Sequence, residues 1–347
     1  MFRIDHKHED WRGIDLSFIP MFAPWQGYAS ALGAAPTDDA QLLFVDGNVV
    51  SIGREVQAKC TVLTMVQEGA VRFTQIICHM AIDLTVLYVH TEATQQYVLH
   101  YHNHIEIRAG ITVNYQVRYQ GQHHFLQILE VFHCREQAQL NYAIVSHEQP
   151  QALRIMQQLQ LEVAEHGKVQ IFLGLAHMLW HSFVLQAALQ GQQAQVHLKG
   201  NAYLGQTACS HRIVRIKHYC SDTTSTVNLL AATTARAQFA AKIYSENAPS
   251  LKAIDMQQRC RGIVLSAMSM LSFVPALQVN AGEVQASHSV ALHTLPQQAW
   301  WYLQKRGLTA ADVQQTVVLN LFKAALFNFQ NQNAEEACLQ RLMALLR

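Results

Sequence analysis

Apolar and polar residues alternate with a period of two through most of the middle of the chain. The alternation is plain around Val184, Gln186 and Ala188, at Gln195-Val196-His197-Leu198, and along Arg212-Ile213-Val214-Arg215-Ile216-Lys217. A period of two puts successive side chains on opposite faces of a strand. Glycines at Gly174, Gly191, Gly200 and Gly205 punctuate these segments. Many short strands without alternating helices predict an all-β body over residues 53–293. A sandwich and a β-solenoid fit this texture equally. The Thr-, Ser- and Ala-rich tract from Thr223 to Ala241 suits stacked coils, where neighbouring strands lie one strand spacing apart. No strict repeat accompanies it. One interval inside this body, Gln149 to Gly167, reads as helical: Pro150 precedes Leu153, Met156 and Leu159 at helix-like spacing.

The two ends have other textures. Residues 1–52 are rich in aromatics and prolines (Pro20, Pro24, Pro36) and end in Leu42-Leu43-Phe44-Val45-Asp46-Gly47-Asn48-Val49-Val50. That run predicts a hairpin turned by Asp-Gly and Asn. Residues 294–347 read as helices that close the β body. Pro296 suits a first helical position, and Ala299, Tyr302 and Leu303 share a face. Gly307 stands where a left-handed stop is needed. Thr309 and Asp312 form an N-cap pair, and Val313, Val317, Leu321 and Ala324 follow at helical spacing. A last amphipathic run carries Glu335 and Glu336 ahead of Leu339, Leu342, Met343 and Leu346.

Composition narrows the class. Half of the 347 residues are hydrophobic, enough for a large buried core. Charged residues reach 14 %, against roughly 25 % in an average globular protein, and Gln and His fill much of the gap. The formal net charge of +1 gives no footprint for nucleic acid. No run of apolar residues is long enough to span a bilayer, and Met1 to Asp15 does not read as a secretory signal. Seven dispersed cysteines, with no CxxC, argue against a disulfide framework or a zinc module. A cytoplasmic protein with reduced thiols is the expectation.

Candidate chemistry is sparse. His100, His102 and His104 alternate in a β-like stretch, so all three rings should share one face, a geometry able to hold Zn, Ni or Cu. An exposed polar strand face in a chain with 19 histidines is the plainer reading. The adjacent pair His123-His124 would point to opposite faces. Cys209, His211, His218 and Cys220 cluster within a dozen residues but match no zinc spacing. Cys134 and Cys260 read as core thiols. No Walker A loop, GxSxG elbow, GxGxxG fingerprint or HExxH helix occurs, and no nucleophile–base arrangement supports catalysis. The chain is expected to be no enzyme.

By the segments from Pro275 to His288 and from Trp301 to Leu308, and by Phe239 to Ile243 upstream, the C-terminal half resembles the SufB/SufD family of iron–sulfur cluster assembly proteins. The clearest stretch is Pro275-Ala276-Leu277-Gln278-Val279-Asn280-Ala281-Gly282-Glu283-Val284-Gln285-Ala286-Ser287-His288. Trp301-Tyr302-Leu303-Gln304-Lys305-Arg306-Gly307-Leu308 matches the family's Phe-Tyr-Leu-x-Ser-Arg-Gly-Ile. His218 and Ser225 fit a family His…Ser spacing, and Phe239 to Ile243 fits Phe-x-Gly-Lys-Ile. With weaker landmarks the resemblance covers roughly residues 40–328. Departures are clear: Ala286 stands in place of the family Cys, Ser289 in place of Gly, and Ala241 in place of Gly. The helical N-terminal region usual in SufD is largely missing, so the resemblance is to a divergent, shortened member. Ser287-His288 matches the SufD form, whereas SufB-type chains carry Glu-His-Glu there.

The resemblance implies a right-handed parallel β-helix with a C-terminal helical segment. It implies a scaffold subunit that pairs with a SufB-like partner through the end of the solenoid. A transient iron–sulfur cluster would form near that interface, with His288 as the candidate ligand. It further implies docking of a SufC-like ABC ATPase on helices between Pro296 and Asn328, with Trp300, Trp301, Tyr302, Arg306 and Gly307 as candidate contacts. Trp300 and Trp301 fall on different helix faces. A chain without its partner could pair with itself along the same strand edge. Two rival readings stand beside this: a stand-alone metal-binding solenoid using the His100 group, and a degenerate paralogue that binds the ATPase without contributing to a cluster. Without the resemblance, His288 reads as a hydrogen-bonded residue at the edge of the β body.

Overall fold

The computed structural model describes residues 23–24, 41–45, 48–66, 71–89, 97–120, 125–145, 153–176, 179–280, 282–294, 297–326 and 340. A two-residue strand β1 (Ala23–Pro24) lies parallel to Tyr97–Val98. The hairpin β2 (Gln41–Val45) and β3 (Asn48–Ile52) follows, as its turn residues predict, then a short helix α1 (Arg54–Lys59) and β4 (Cys60–Val66). From there each coil adds two strands. The first coils are β5 (Val71–Cys78) with β6 (Ile82–Val89), β7 (Tyr97–Ile107) with β8 (Thr112–Gln120), and β9 (Phe125–Cys134) with β10 (Gln139–Val145). The middle coils are β11 (Arg154–Val163) with β12 (Lys168–Ala176), β13 (Trp180–Leu189) with β14 (Gln195–Leu204), and β15 (Cys209–His218) with β16 (Thr224–Thr233). The last are β17 (Gln238–Asn247) with β18 (Leu251–Val264), and β19 (Met270–Gln278) with β20 (Gly282–Thr294).

Odd-numbered strands from β5 to β19 form one sheet, with β4 at its far edge; even-numbered strands from β6 to β20 form the other, with β2 and β3 beyond β6. Coil stacks on coil in parallel register, and antiparallel pairing occurs at the β2–β3 and β4–β5 hairpins of the N-terminal end. This is a parallel β-solenoid. Of the two architectures the alternation allowed, stacked coils are the one formed.

The core runs along the lumen as columns of in-register side chains. One column on the second sheet is Leu84, Tyr115, Tyr142, Ile171, Leu198, Val227 and Gln258, all fully buried or nearly so. Each aliphatic member removed from water contributes about 1.5–3 kcal/mol before entropy is counted. The corners between the sheets are tight. Gln137, His166, Gln193 and Ala235 adopt left-handed backbone (φ 52 to 57°), a conformation costing non-glycine residues roughly 1–2 kcal/mol. Stacking offsets that cost: Gln137 N donates to Glu165 O at 2.8 Å and His166 N to Gln192 O at 2.9 Å. A small residue ends each of these corners, namely Ala138, Gly167, Ala194 and Ala237. Gly191 is pressed against the corner before it, where a Cβ would stand 2.0 Å from Glu165 N.

The helical reading of Leu153, Met156 and Leu159 is corrected: this segment is β11. Residues 155–159 are buried on both faces of the strand, which erases the alternation and leaves an accidental spacing of three. A buried carboxyl lies in the same region of the lumen. Tyr115 Oη donates to Glu130 Oε1 at 2.8 Å, and Tyr142 Oη and Gln157 Nε2 donate to Oε2 at 2.5 and 2.9 Å. Burial raises the Glu130 pKa above the ordinary carboxyl value, and these donors pull it part of the way back.

Helices α2 (Gln297–Lys305) and α3 (Ala310–Leu326) follow the last coil. Gly307 takes φ +93° at the stop. Thr309 caps α3: its Oγ1 accepts from Asp312 N at 3.2 Å, while Asp312 Oδ2 accepts from Thr309 N at 2.9 Å. The expected last helix, from Glu335 onward, lies outside the described residues except for Gln340. The expectation that helices close the solenoid end is corrected for α3. Its Val318 and Phe322 pack on Tyr203, Leu230, Ala232 and Ile263. These residues alternate with the lumen positions of β14, β16 and β18, so α3 covers the outer side of the second sheet. Among the described residues no helix is long and apolar enough to cross a membrane.

Candidate functional site

The two ends of the solenoid differ. At the N-terminal end the sheets finish in the antiparallel hairpins β2–β3 and β4–β5. At the other end β19 and β20 are the outermost strands of their sheets, and each keeps one edge without a partner strand among the described residues. Such an edge presents a row of free backbone donors and acceptors.

Register places His288 in this coil. Its Cα partner on β18 is Gln258, so His288 takes the next position of the lumen column that begins at Leu84. Gln258 is fully buried, and its Nε2 donates to Ser245 Oγ at 2.9 Å and to Ala276 O at 3.1 Å. His288 itself is exposed, because no further coil among the described residues covers it. Val284, Ala286, Val290 and Leu292 occupy the equivalent positions of β20, opposite Ile254, Met256, Cys260 and Gly262. Val290 and Leu292 are 42 % and 51 % exposed where the core would otherwise continue. Met268, Met270, Val274 and Val279 of the same coil are exposed too. Six of the eleven large exposed hydrophobics among the described residues therefore belong to one coil. Sequence reading singled out His288 but missed this apolar surround, because β20 alternates like any buried strand.

The helix residues fall as follows. Trp301 and Tyr302 are each 56 % exposed, while Trp300 is half-buried. Arg306 lies over the Tyr302 ring, 4.9 Å from its centroid, and Gly307 ends the helix beside it. The cluster is an aromatic and cationic surface of the kind enriched at protein interfaces.

Other candidates resolve differently. His100, His102 and His104 do share the outer face of β7, alternating with buried Leu99, Tyr101 and Asn103. His102 and His104 both lean on Phe73, at 5.2 and 4.9 Å between centroids. Burial lowers the pKa of each of the three, so neutral rings are favoured. Neither this group nor the Cys209–Cys220 group forms a metal site: among the described residues, no three His, Cys, Asp or Glu side chains stand together for one. His218 is a core residue, with Nδ1 2.7 Å from Thr223 Oγ1 and Nε2 2.9 Å from Ser225 Oγ. The His218…Ser225 spacing is thus a hydrogen-bonded pair. Cys134 and Cys260 are buried, and burial pushes both thiols up to about 12. His123-His124 lies outside the described residues. Cys60 and Cys78, opposite each other on β4 and β5 with Sγ atoms 3.7 Å apart, form a thiol pair that sequence spacing did not suggest.

Comparison with known proteins agrees with this architecture. The family domain described as SUF system FeS cluster assembly, SufBD core, matches residues 89–320. That span runs from the end of β6 through the last coil into α3. A relative in Synechocystis sp., the iron-sulfur cluster assembly SufBD family protein slr0076, is 26 % identical over 113 residues. The match covers 33 % of this chain and 24 % of the relative, so the chain spans about a quarter of that protein's length. With two thirds of its length inside the family's core domain and the solenoid fold in place, this chain belongs to the SufBD family of iron–sulfur cluster assembly proteins.

Proposed function

We propose that the chain acts as a SufD-type, non-catalytic subunit of a cytoplasmic complex that assembles iron–sulfur clusters. The open last coil is the observation that carries this reading. It combines unpaired strand edges, exposed apolar side chains at lumen positions, and a histidine in the middle of the row. A SufB-like subunit laid against β19 and β20 would complete the backbone hydrogen bonds and cover Val290 and Leu292. Without that partner the same edge would pair two copies of this chain. His288 would then sit inside the interface, where its imidazole can ligate the nascent cluster beside thiolates from the partner. Ala286 supplies no thiolate of its own. One imidazole among few thiolates holds a cluster loosely, which suits a scaffold that must release it. Trp301, Tyr302 and Arg306, with Trp300 and Gly307 beside them, would receive a SufC-like ABC ATPase.

A second reading rests on Ala286 and Ser289. A methyl group and a hydroxymethyl group replace the cysteine and glycine of the family pattern, which fits a paralogue that docks the ATPase without touching a cluster. Co-expression with the SufB-like and SufC-like proteins of the same host, anaerobic purification and a visible absorption spectrum separate the two. A complex whose iron–sulfur band disappears in His288→Ala supports the ligand role. A band that survives the substitution removes His288 as a required ligand. Purification of the chain with neither partner would refute the scaffold reading.

A further inference from the structure

The lumen holds an uncompensated cation. Arg212 on β15 is fully buried. Its register neighbours are Phe183 on β13 and Ala241 on β17, and its guanidinium lies 5.2 Å from the Phe239 ring centroid. Gly200 on β14 makes room for it: a Cβ there would stand 2.1 Å from Arg212 Nη1. One long hydrogen bond reaches it, from Nη2 to the Asn201 carbonyl oxygen at 3.4 Å. Nε and Nη1 have no acceptor among the described residues.

Further polar groups without partners lie nearby. Ser210 precedes Arg212 by two residues on the lumen face, and His181 on β13 is its register neighbour. Both are 1 % exposed, and neither Ser210 Oγ nor either ring nitrogen of His181 has a partner among the described residues. Burial and the charge of Arg212 lower His181 to about 3, so the ring is neutral and offers one N–H. Among the described residues no carboxylate answers this charge. Glu130 is the fully buried acid among the described residues, and it belongs to β9, three strands away. At about 4.8 Å per strand that is roughly 14 Å, and its own tyrosines already hold it.

Arginine does not shed its proton in proteins, and an unpaired ion in a dry interior is strongly disfavoured. Water could satisfy the N–H groups but not the charge. A bulky or divalent anion would overfill or overcharge a lumen closed above and below by neighbouring coils. We propose that the unpartnered donors of Arg212, Ser210 and His181 together hold a small monovalent anion of halide size, bound as a permanent counter-ion of the fold. Donors from Arg212 Nε and Nη1, Ser210 Oγ and a ring nitrogen of His181 would meet it. The inference is independent of the scaffold reading.

The test uses the purified full-length chain, unfolded in urea and refolded in sodium bromide or in sodium gluconate at equal ionic strength. A ligand that binds only the folded state at 100 times its Kd lowers the unfolding constant about 100-fold. Stability should therefore rise with bromide and not with gluconate, and Arg212→Met should lose the dependence. Should that variant fail to fold, Ser210→Ala keeps the charge, removes one donor, and should shift the bromide dependence to higher concentration. Crystals grown in bromide should show an anomalous peak against Arg212 Nε and Nη1. Equal stability in the two salts, with water alone at that point in the bromide crystal, would overturn the proposal.

Discussion

The pair His218–Ser225 makes the fold sensitive to acid by an amount that can be worked out. His218 is completely buried at the end of β15, and burial lowers its pKa from 6.5 to about 4. The sign follows from proton binding. Between the two values the unfolded chain binds a proton that the folded chain refuses, so stability falls as pH drops through this window. The full difference between the two values corresponds to about 3 kcal/mol. At pH 5 about 2 kcal/mol of it should already be lost relative to pH 7. Urea unfolding at both pH values, for the native chain and for His218→Asn, isolates this one residue, since all other titrating groups are common to both. The variant starts less stable because two hydrogen bonds are gone, but its loss between pH 7 and pH 5 should be smaller by about 2 kcal/mol. Equal losses in the two proteins would refute the assignment of His218 as a neutral core group.

Glu130 should behave in the opposite sense. Its pKa is raised in the fold, so its contribution is fully present below the ordinary value of 4.5 and is lost as pH rises above it; Glu130→Gln should therefore gain on the native chain from pH 4 to pH 7 in urea titrations. Gly191→Ala forces a methyl within 2.0 Å of Glu165 N, and the resulting backbone shift should destabilise the chain by about 1–3 kcal/mol, read from the denaturation midpoint. Thr309→Ala removes the cap of α3 and should cost about 1 kcal/mol. Its mark should be faster hydrogen exchange confined to α3, with the β13–β16 amides unchanged.

The solenoid was half legible in the sequence. Alternation at Arg212 to Lys217 announced a strand, but a strand looks alike in a sandwich and in a coil. What separates them here is the corner. Ala138, Gly167 and Ala194 recur at the same structural place, while their spacing drifts and the left-handed residues before them are Gln, His and Gln; Ala235 and Ala237 belong to the opposite corner, where Ala237 stacks on Ala208. Neither glycine nor asparagine takes the left-handed position in those turns, because the hydrogen bonds between stacked corners hold them in place. The β11 segment was misread for a related reason: an apolar Met156 takes an outer position and a polar Gln157 a lumen position, which breaks the alternation at its centre. The helical punctuation was legible, since Gly307 and the Thr309–Asp312 cap act through local backbone geometry. His288 could be reached through the family pattern, whereas its exposed setting could not. Whether an alternating strand is followed by another coil is not written in the strand itself.

The difference between the two ends gives assembly a direction in time. The hairpins at the N-terminal end are made first and can shield the first coil while the rest of the chain is still on the ribosome. Each later coil then finds its template already formed, because the coil it stacks on was synthesised before it. The adhesive edges of β19 and β20 emerge late, after the body beneath them exists. While the chain grows, each new coil is briefly an open end of this kind until the next one stacks on it; among the described residues only β19 and β20 keep that edge once the body is complete.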